Sequence, residues 1–176
     1  MKDNKMFKYP LILGTIALVA GLLLALVYNV TSPIIEKNNN KRENAVVVEM
    51  FGDDVKIEDI SSTLEADEKD IGITSVVKAK DEGKIYYVYK VTFKDAFDGD
   101  ESSYVLAVDN NGKIFKLKFT STGDSYASSY NSASYINGIV GKNSLTDNDT
   151  ISGATKTGTS IIESINAAIA HKGRVD

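Results

Sequence analysis

One stretch in the middle of the chain reads Lys84-Ile-Tyr-Tyr-Val-Tyr-Lys-Val-Thr-Phe93. Within it the side chains alternate between two sets, with Tyr87, Tyr89, Val91 and Phe93 in one set and Val88, Lys90 and Thr92 in the other. A period of two is the repeat of a β-strand, whose successive side chains point to opposite faces of the sheet. The stretch therefore predicts a strand with a buried aromatic face.

Three neighbouring stretches predict further strands: residues 71–80 before it, and residues 104–109 and 113–120 after it. The turns Asp81-Glu-Gly83 and Asp109-Asn-Asn-Gly112 join them in pairs and have the length and composition of hairpin connections. No segment recurs at a fixed period, which excludes repeat folds. We therefore expect an antiparallel sheet.

Two parts of the chain give no strand or helix signal. Residues 52–70 are acidic and are predicted to be irregular. Residues 121–135 are rich in serine and tyrosine and are predicted to form a low-complexity loop.

The chain closes with a predicted helix over residues 157–171. Its apolar residues recur at helical spacing, namely Ile161, Ile162, Ile165, Ala168 and Ile169. Such a helix has one apolar face, which needs an apolar surface to pack on. The expected fold class is therefore α+β, an antiparallel sheet with a C-terminal helix packed on it.

The N-terminal part of the chain predicts an uncleaved membrane anchor. There is no charged side chain from Tyr9 to Ile35, and residues 11–27 are apolar except for Gly14, Thr15 and Gly21. A helix of about 20 residues crosses a hydrocarbon core of about 30 Å. A cleaved signal peptide would have a shorter apolar region followed by a small-residue cleavage site.

The charges beside the anchor predict its orientation. Lys2, Lys5 and Lys8 precede it, and the short basic tail favours a cytoplasmic N-terminus, although Lys37, Lys41 and Arg42 follow it closely. The main domain would then be extracytoplasmic on a single-pass cell-membrane protein. The expected organisation is a cytoplasmic tail and anchor over residues 1–33, a stalk helix over 34–51, and the domain over 52–176.

The composition excludes several functional classes. The chain has no cysteine and one histidine, His171, which excludes disulfide scaffolds, thiolate metal sites and cysteine nucleophiles. Its 20 Lys and Arg residues against 24 Asp and Glu residues leave a net charge of −4. An acidic chain disfavours nucleic-acid binding. We expect no metal site, since the acidic residues Asp95, Asp98, Asp100 and Glu101 lack the spacing of a calcium loop.

A motif precedes the last helix: Asp149-Thr-Ile-Ser152-Gly153-Ala154-Thr155-Lys156-Thr157. A loop of small residues that opens a helix exposes backbone N–H groups beside the positive end of the helix dipole, where a phosphate is favoured. Gly153 and Ala154 allow close approach, and Lys156 adds a positive charge. The alternative is that the loop is only a serine or threonine N-cap for the helix.

The pattern Asp149-x-x-Ser152-Gly153-Ala154-Thr155 resembles the flavinylation motif of the FMN-binding domain family. In that family a flavin transferase esterifies FMN through its phosphate onto the last threonine. The N-terminal segment Asn29-Val-Thr-Ser-Pro-Ile-Ile-Glu-Lys-Asn38 also resembles the G subunit of the Rnf ferredoxin:NAD oxidoreductase, and more distantly the C subunit of the sodium-pumping NADH:quinone reductase.

This resemblance implies a function and a set of site residues. The chain would be an electron-transfer subunit of an Rnf-like ion-translocating complex, with other membrane subunits as partners and no catalytic residue of its own. Thr155 would carry covalent FMN, and the transferase would recognise Asp149, Ser152, Gly153 and Ala154. The alternatives are a stand-alone extracellular flavoprotein reductase and a cofactor-free binding module.

Four further residues are predicted to lie beside the flavin. Lys156 and Thr157 follow the attachment residue at the start of the helix. Tyr126 and Tyr130 lie in the serine- and tyrosine-rich segment, and one of them is expected to cover a face of the isoalloxazine ring. The alternative for both tyrosines is packing in the domain.

Overall fold

The computed structural model describes residues 5–94, 100–123 and 125–175, except for the side chains of residues 5–10, 26, 29, 30 and 32–43 of the first helix. The chain divides into two compact units, residues 1–45 and 46–176. The helices are α1 Lys5–Phe51, α2 Ala66–Asp70, α3 Ser125–Tyr130, α4 Ala133–Ile139 and α5 Thr155–Arg174. The strands are β1 Lys56–Asp59, β2 Ile73–Asp81, β3 Lys84–Lys94, β4 Glu101–Asp109 and β5 Ile114–Ser121.

The strands form one antiparallel sheet in the order β1-β2-β3-β4-β5, so each strand pairs with its neighbour in the chain. The four predicted strands correspond to β2 to β5 and are confirmed. Glu82 and Gly83 form the turn between β2 and β3, and both have positive φ, at 46° and 82°. Two positive φ values in a two-residue turn match the right-handed twist of the paired strands.

The sheet is buried on both faces. On one face the aromatic residues of β3, such as Tyr87 and Tyr89, pack with Ile161 and Ile165 of α5 in the larger core cluster. The prediction of a buried aromatic face is therefore confirmed. On the other face Tyr86, Val88 and Ala107 pack with Val47 and Met50, which belong to the same compact unit. The end of α1 thus buries the face of the sheet that α5 leaves uncovered.

Two predictions about irregular segments are wrong. Residues 52–70 contain β1, a 3-10 turn at Ser61–Thr63 and α2. Residues 121–135 contain α3 and the start of α4, and they bury Ala127 and Tyr130. In α4 the Ser132 hydroxyl accepts a hydrogen bond from the Tyr135 N–H and caps the helix. These elements are too short for a hydrophobic period to appear in the sequence.

The first helix is longer than predicted, because the anchor and the stalk form one α1 that passes through Pro33 without interruption. A proline removes one N–H from the helix and does not by itself end it. None of the helices in the part of the chain that the structure describes is long and apolar enough to cross a membrane. The predicted transmembrane anchor is therefore not confirmed.

Candidate functional site

The motif forms the turn that leads into α5. The helix begins at Thr155, and its N-cap is Ala154, which makes no side-chain capping hydrogen bond. The Ala154 N–H donates to the Ile151 carbonyl at 2.9 Å and closes the turn. Gly153 has a φ of 88°, a backbone conformation that favours glycine. The alternative of a serine or threonine N-cap is therefore wrong, because neither Ser152 nor Thr155 caps the helix.

Thr155 lies at the surface with its side chain exposed. Its carbonyl accepts a hydrogen bond from the Thr159 hydroxyl at 3.1 Å, whereas its own hydroxyl has no hydrogen bond within the described residues. A methyl group placed on Gly153 would have no heavy atom within 4 Å, so the surface beside the motif is open. An exposed hydroxyl at a helix N-terminus, beside open space, fits the attachment of a phosphate group.

Asp149 holds the segment before the motif. Its Oδ2 accepts a hydrogen bond from the Thr146 N–H at 2.9 Å, and its Oδ1 pairs with the Lys142 ammonium. Burial raises the pKa of the Asp149 carboxyl, but the hydrogen bonds from Lys142 and Thr146 and the charge of Lys142 outweigh burial and lower the pKa below its usual value. Asp149 therefore stabilises the turn as a carboxylate.

Tyr130 forms hydrogen bonds to the motif turn from inside the domain. Its side chain is fully buried, and its hydroxyl accepts a hydrogen bond from the Ile151 N–H at 2.8 Å and donates one to the Ala154 carbonyl at 3.0 Å. Burial raises the pKa of the Tyr130 hydroxyl, and the hydrogen bond from Ile151 opposes this. One phenol hydroxyl thus ties together both ends of the turn that precedes Thr155.

The space for this contact comes from a glycine. Gly158 is buried in the first turns of α5, where a methyl group would overlap the Tyr130 hydroxyl and lie 2.9 Å from Tyr130 Cζ and 3.0 Å from Thr150 Cγ2. Real Cβ contacts are not this short, so alanine does not fit without movement of Tyr130. The ring of Tyr135 packs edge-on against Tyr130, with 4.7 Å between ring centroids and an angle of 87°.

The predicted site residues divide into an exposed group and a buried group. Ser152, Gly153, Thr155 and Lys156 are exposed and Tyr126 is 38% exposed, whereas Ala154, Thr157 and Tyr130 are buried. Tyr130 presents no exposed face on which a ring could stack, so its place in the structure is that of a packing residue. The predicted ring contact of Tyr126 stays a prediction.

Asp95 and Asp98, considered above for calcium, lie outside the described residues. Within residues 5–94, 100–123 and 125–175 there is no group of three or more His, Asp or Glu side chains placed to hold a metal ion. Asp100 and Glu101 therefore belong to no such group.

Sequence reasoning missed two polar features of the buried core. The Tyr135 hydroxyl is buried, and of the described buried side-chain oxygens and nitrogens it is the one without a hydrogen-bond partner. Burial raises its pKa. An unpaired buried hydroxyl costs about 1–3 kcal/mol of stability. No local pattern in the sequence distinguishes this tyrosine from its exposed neighbours.

The second missed feature is the environment of His171, which is fully buried at the C-terminal end of α5. The Thr63 hydroxyl donates to the Ile60 carbonyl at 2.7 Å, so its oxygen accepts from His171 Nε2 at 3.0 Å. His171 Nδ1 then accepts from the Tyr89 hydroxyl, also at 3.0 Å. His171 therefore connects α5 to β3 and to the 3-10 turn, which is a structural role.

Two protein-family models match the chain, one in its N-terminal part and one in its C-terminal part. Residues 1–49 match the RnfG N-terminal region, and residues 98–170 match the FMN-binding domain, so that the second match contains the motif, Tyr130 and most of α5. No curated protein matches the chain. The chain is thus similar to RnfG in its N-terminal part and to FMN-binding domains in its C-terminal part, and the second match supports FMN as the cofactor.

Proposed function

We propose that the chain is an electron-transfer subunit of an Rnf-like ion-translocating complex and that it carries FMN as a phosphoester on Thr155. The observation that carries the proposal is the Thr155 hydroxyl, which is exposed and has no hydrogen bond within the described residues. It lies at the first position of α5, within the match to the FMN-binding domain.

Ester formation in water needs an activated flavin. We therefore expect a flavin transferase to use an FMN phosphoanhydride. The bond from Thr155 Oγ1 to the flavin phosphorus forms as the anhydride P–O bond breaks, the other phosphate leaves with the bridging oxygen and the electron pair, and the hydroxyl proton is released to a base or to water. Ser152 and Gly153 are exposed beside Thr155, so the transferase can reach these two residues together with the acceptor. Asp149 contributes by holding the turn through Lys142 and Thr146.

Bound FMN supplies a centre that accepts and donates one or two electrons, and the protein supplies its position. The phosphate lies beside the N-terminus of α5, where the helix dipole favours negative charge. A covalent link keeps the cofactor on a domain to which the cytoplasm cannot supply it again.

The N-terminal helix supports a membrane location. Every described large apolar side chain from Leu11 to Tyr28 is exposed, at 45–72% of its surface. A helix with apolar side chains on all sides is stable when lipid or other helices cover it. Gly14 and Gly21 have no heavy atom within 4 Å of an added methyl group, and such small residues allow close packing against helices of partner subunits. We propose that this helix holds the chain at the cell membrane with its N-terminus on the cytoplasmic side.

The test is a substitution of the acceptor residue in the full-length chain, co-expressed with a flavin transferase. Thr155→Val should abolish the flavin fluorescence of the denatured protein and the mass increase of FMN less one water. Thr159→Val is the matched control, since Thr159 is exposed one turn further along the same helix, and it should keep both signals. Protease added to intact cells should remove the fluorescent domain.

Three results would count against parts of this proposal. Flavin that survives denaturation in Thr155→Val places the bond on another residue. A parent chain without flavin favours the cofactor-free binding module. Flavinylated protein that purifies alone from cells that contain the other subunits favours the stand-alone reductase.

A further inference from the structure

Tyr130 makes two hydrogen bonds to the attachment turn, residues 151–154, and both go to main-chain atoms. Its hydroxyl bonds the N–H of Ile151 and the carbonyl of Ala154, and these two groups lie on either side of Ser152 and Gly153. No motif side chain takes part in these two bonds. The side chains of Ser152 and Thr155 therefore stay at the surface while the backbone between Ile151 and Ala154 is held.

We infer that Tyr130 is a positioning residue for the flavin, an inference that rests on the proposed attachment at Thr155. A flavin on Thr155 is joined through the rotatable bonds of a threonine side chain and a phosphoester. Any movement of the backbone at Thr155 therefore adds to the movement of the flavin. The Tyr130 hydroxyl holds this backbone at Ala154, the residue directly before the attachment point.

The residues packed around Tyr130 restrict the movement of its hydroxyl. Gly158 is unfavourable in a helix by about 1 kcal/mol relative to alanine, so its presence needs a compensating contact. That contact is the Tyr130 hydroxyl, which occupies the place of a Gly158 side chain. Behind the ring, Tyr135 packs edge-on with 4.7 Å between ring centroids. The hydroxyl can therefore move little from its position between Ile151 and Ala154.

The fold offers a matched control in Tyr104. Its hydroxyl is also buried, and it bonds α5 through the Ser164 hydroxyl at 2.7 Å. Ser164 lies in the middle of α5, more than two turns beyond Thr155. Removing either hydroxyl deletes a buried hydrogen bond, but the bonds of Tyr130 lie in the turn before Thr155 and that of Tyr104 lies within α5.

The experiment compares Tyr130→Phe and Tyr104→Phe with the parent, each as the full-length chain flavinylated by the same transferase. The first measurement is the fluorescence anisotropy decay of the attached flavin, and Tyr130→Phe should at least double the amplitude of its fast local motion. The second is hydrogen exchange at the Ile151 amide, which should become about fivefold faster when a bond of about 1 kcal/mol is lost. Tyr104→Phe should leave both measurements at the parent's values.

Two results would overturn the inference. One is a Tyr130→Phe protein whose flavin moves as little as the parent's. The other is an equal increase in flavin motion in both variants, since a general loosening of α5 would then explain it. Failure of the proposed function is distinguishable, because in that case the parent itself carries no flavin on Thr155.

Discussion

At its C-terminal end α5 is bound by side chains from several elements, whereas at its N-terminal end one tyrosine hydroxyl holds the main chain of the preceding turn. His171 bonds Tyr89 and Thr63, and Arg174 forms an ion pair with the buried carboxylate of Glu68. At the other end the first residue, Thr155, keeps its side chain exposed. The C-terminal end of α5 is thus fixed to the domain by buried contacts, whereas the N-terminal end presents an accessible side chain.

This difference separates stability from function along α5. The contacts at the C-terminal end are buried side-chain contacts, which are costly to remove because they leave unpaired partners. The contacts at the N-terminal end leave Ser152, Thr155 and Lys156 at the surface. Substitutions at the C-terminal end should therefore affect mainly stability, and those at the N-terminal end mainly the attachment of the flavin or its orientation.

The largest effect is expected at His171. His171→Ala leaves the Tyr89 hydroxyl buried without its partner and opens a cavity, so the free energy of unfolding should fall by about 3 kcal/mol. Urea unfolding of the full-length chain measures this. Glu163→Ala, at an exposed position of the same helix, should change stability by no more than about 0.5 kcal/mol.

The flavin content of native His171→Ala protein should equal that of the parent, since Thr155 is at the opposite end of the helix. A His171→Ala protein as stable as Glu163→Ala would contradict the structural role of the histidine. A folded His171→Ala protein without flavin would contradict the separation of the two ends.

Local repetition made much of the fold predictable. The alternation in β3 and the helical spacing of Ile161 and Ile165 repeat along long elements, and the structure places both sets in one core cluster. Short elements lack this repetition. The strand Lys56–Asp59 has only four residues, of which Ile57 alone is partly buried, so no period could reveal it.

The candidate site was predictable only where its residues are consecutive. The motif placed Thr155 just before a helix predicted to begin at residue 157, and in the structure the helix begins at Thr155 itself. This was predictable because the small-residue loop and the helix are adjacent in the chain. The contacts that hold this turn are distant in sequence. Tyr130 is 21 residues from Ile151, and Tyr89 is 82 residues from His171. Folding creates such pairs, and no local pattern contains them.

The second largest effect is expected for a glycine-to-alanine substitution near the N-terminal end of α5, compared with the same substitution near its C-terminal end. Gly158→Ala should lower stability by about 2 kcal/mol, because the new methyl group overlaps the Tyr130 hydroxyl. Gly173→Ala, near the other end of α5, adds a methyl group with no heavy atom within 4 Å. It should raise stability by about 0.5 kcal/mol, since alanine favours the helix.

Thermal unfolding of both full-length variants measures the two shifts, and they should have opposite signs. If both glycine substitutions stabilise the protein, Tyr130 adjusts without cost. The contact between Tyr130 and the start of α5 would then be looser than the structure indicates.

The smallest effect concerns the carboxylate at the start of the motif. The pKa of Asp149 is lowered in the folded protein, because hydrogen bonds from Lys142 and Thr146 and the charge of Lys142 outweigh burial. A group with a lowered pKa contributes stability above its unfolded pKa of about 3.9, and this contribution is lost as the pH falls through the folded pKa. Asp149→Asn removes the contribution, so the unmodified variant should be less stable than the parent near neutral pH by about 1 kcal/mol or less. That difference should shrink once the pH falls below about 4.

Asp147→Asn is the matched control, since Asp147 lies in the same 3-10 turn and is exposed. It makes no ion pair within the described residues. Urea unfolding of the parent and both variants at pH 7 and pH 3 gives the two differences. A stability loss in Asp149→Asn that is the same at both pH values would mean that the shape of the side chain, rather than its charge, holds the turn. The lowered pKa would then have no part in the stability of the N-terminal end, and the pairing of Lys142 with Asp149 would be a surface contact without effect on the attachment turn.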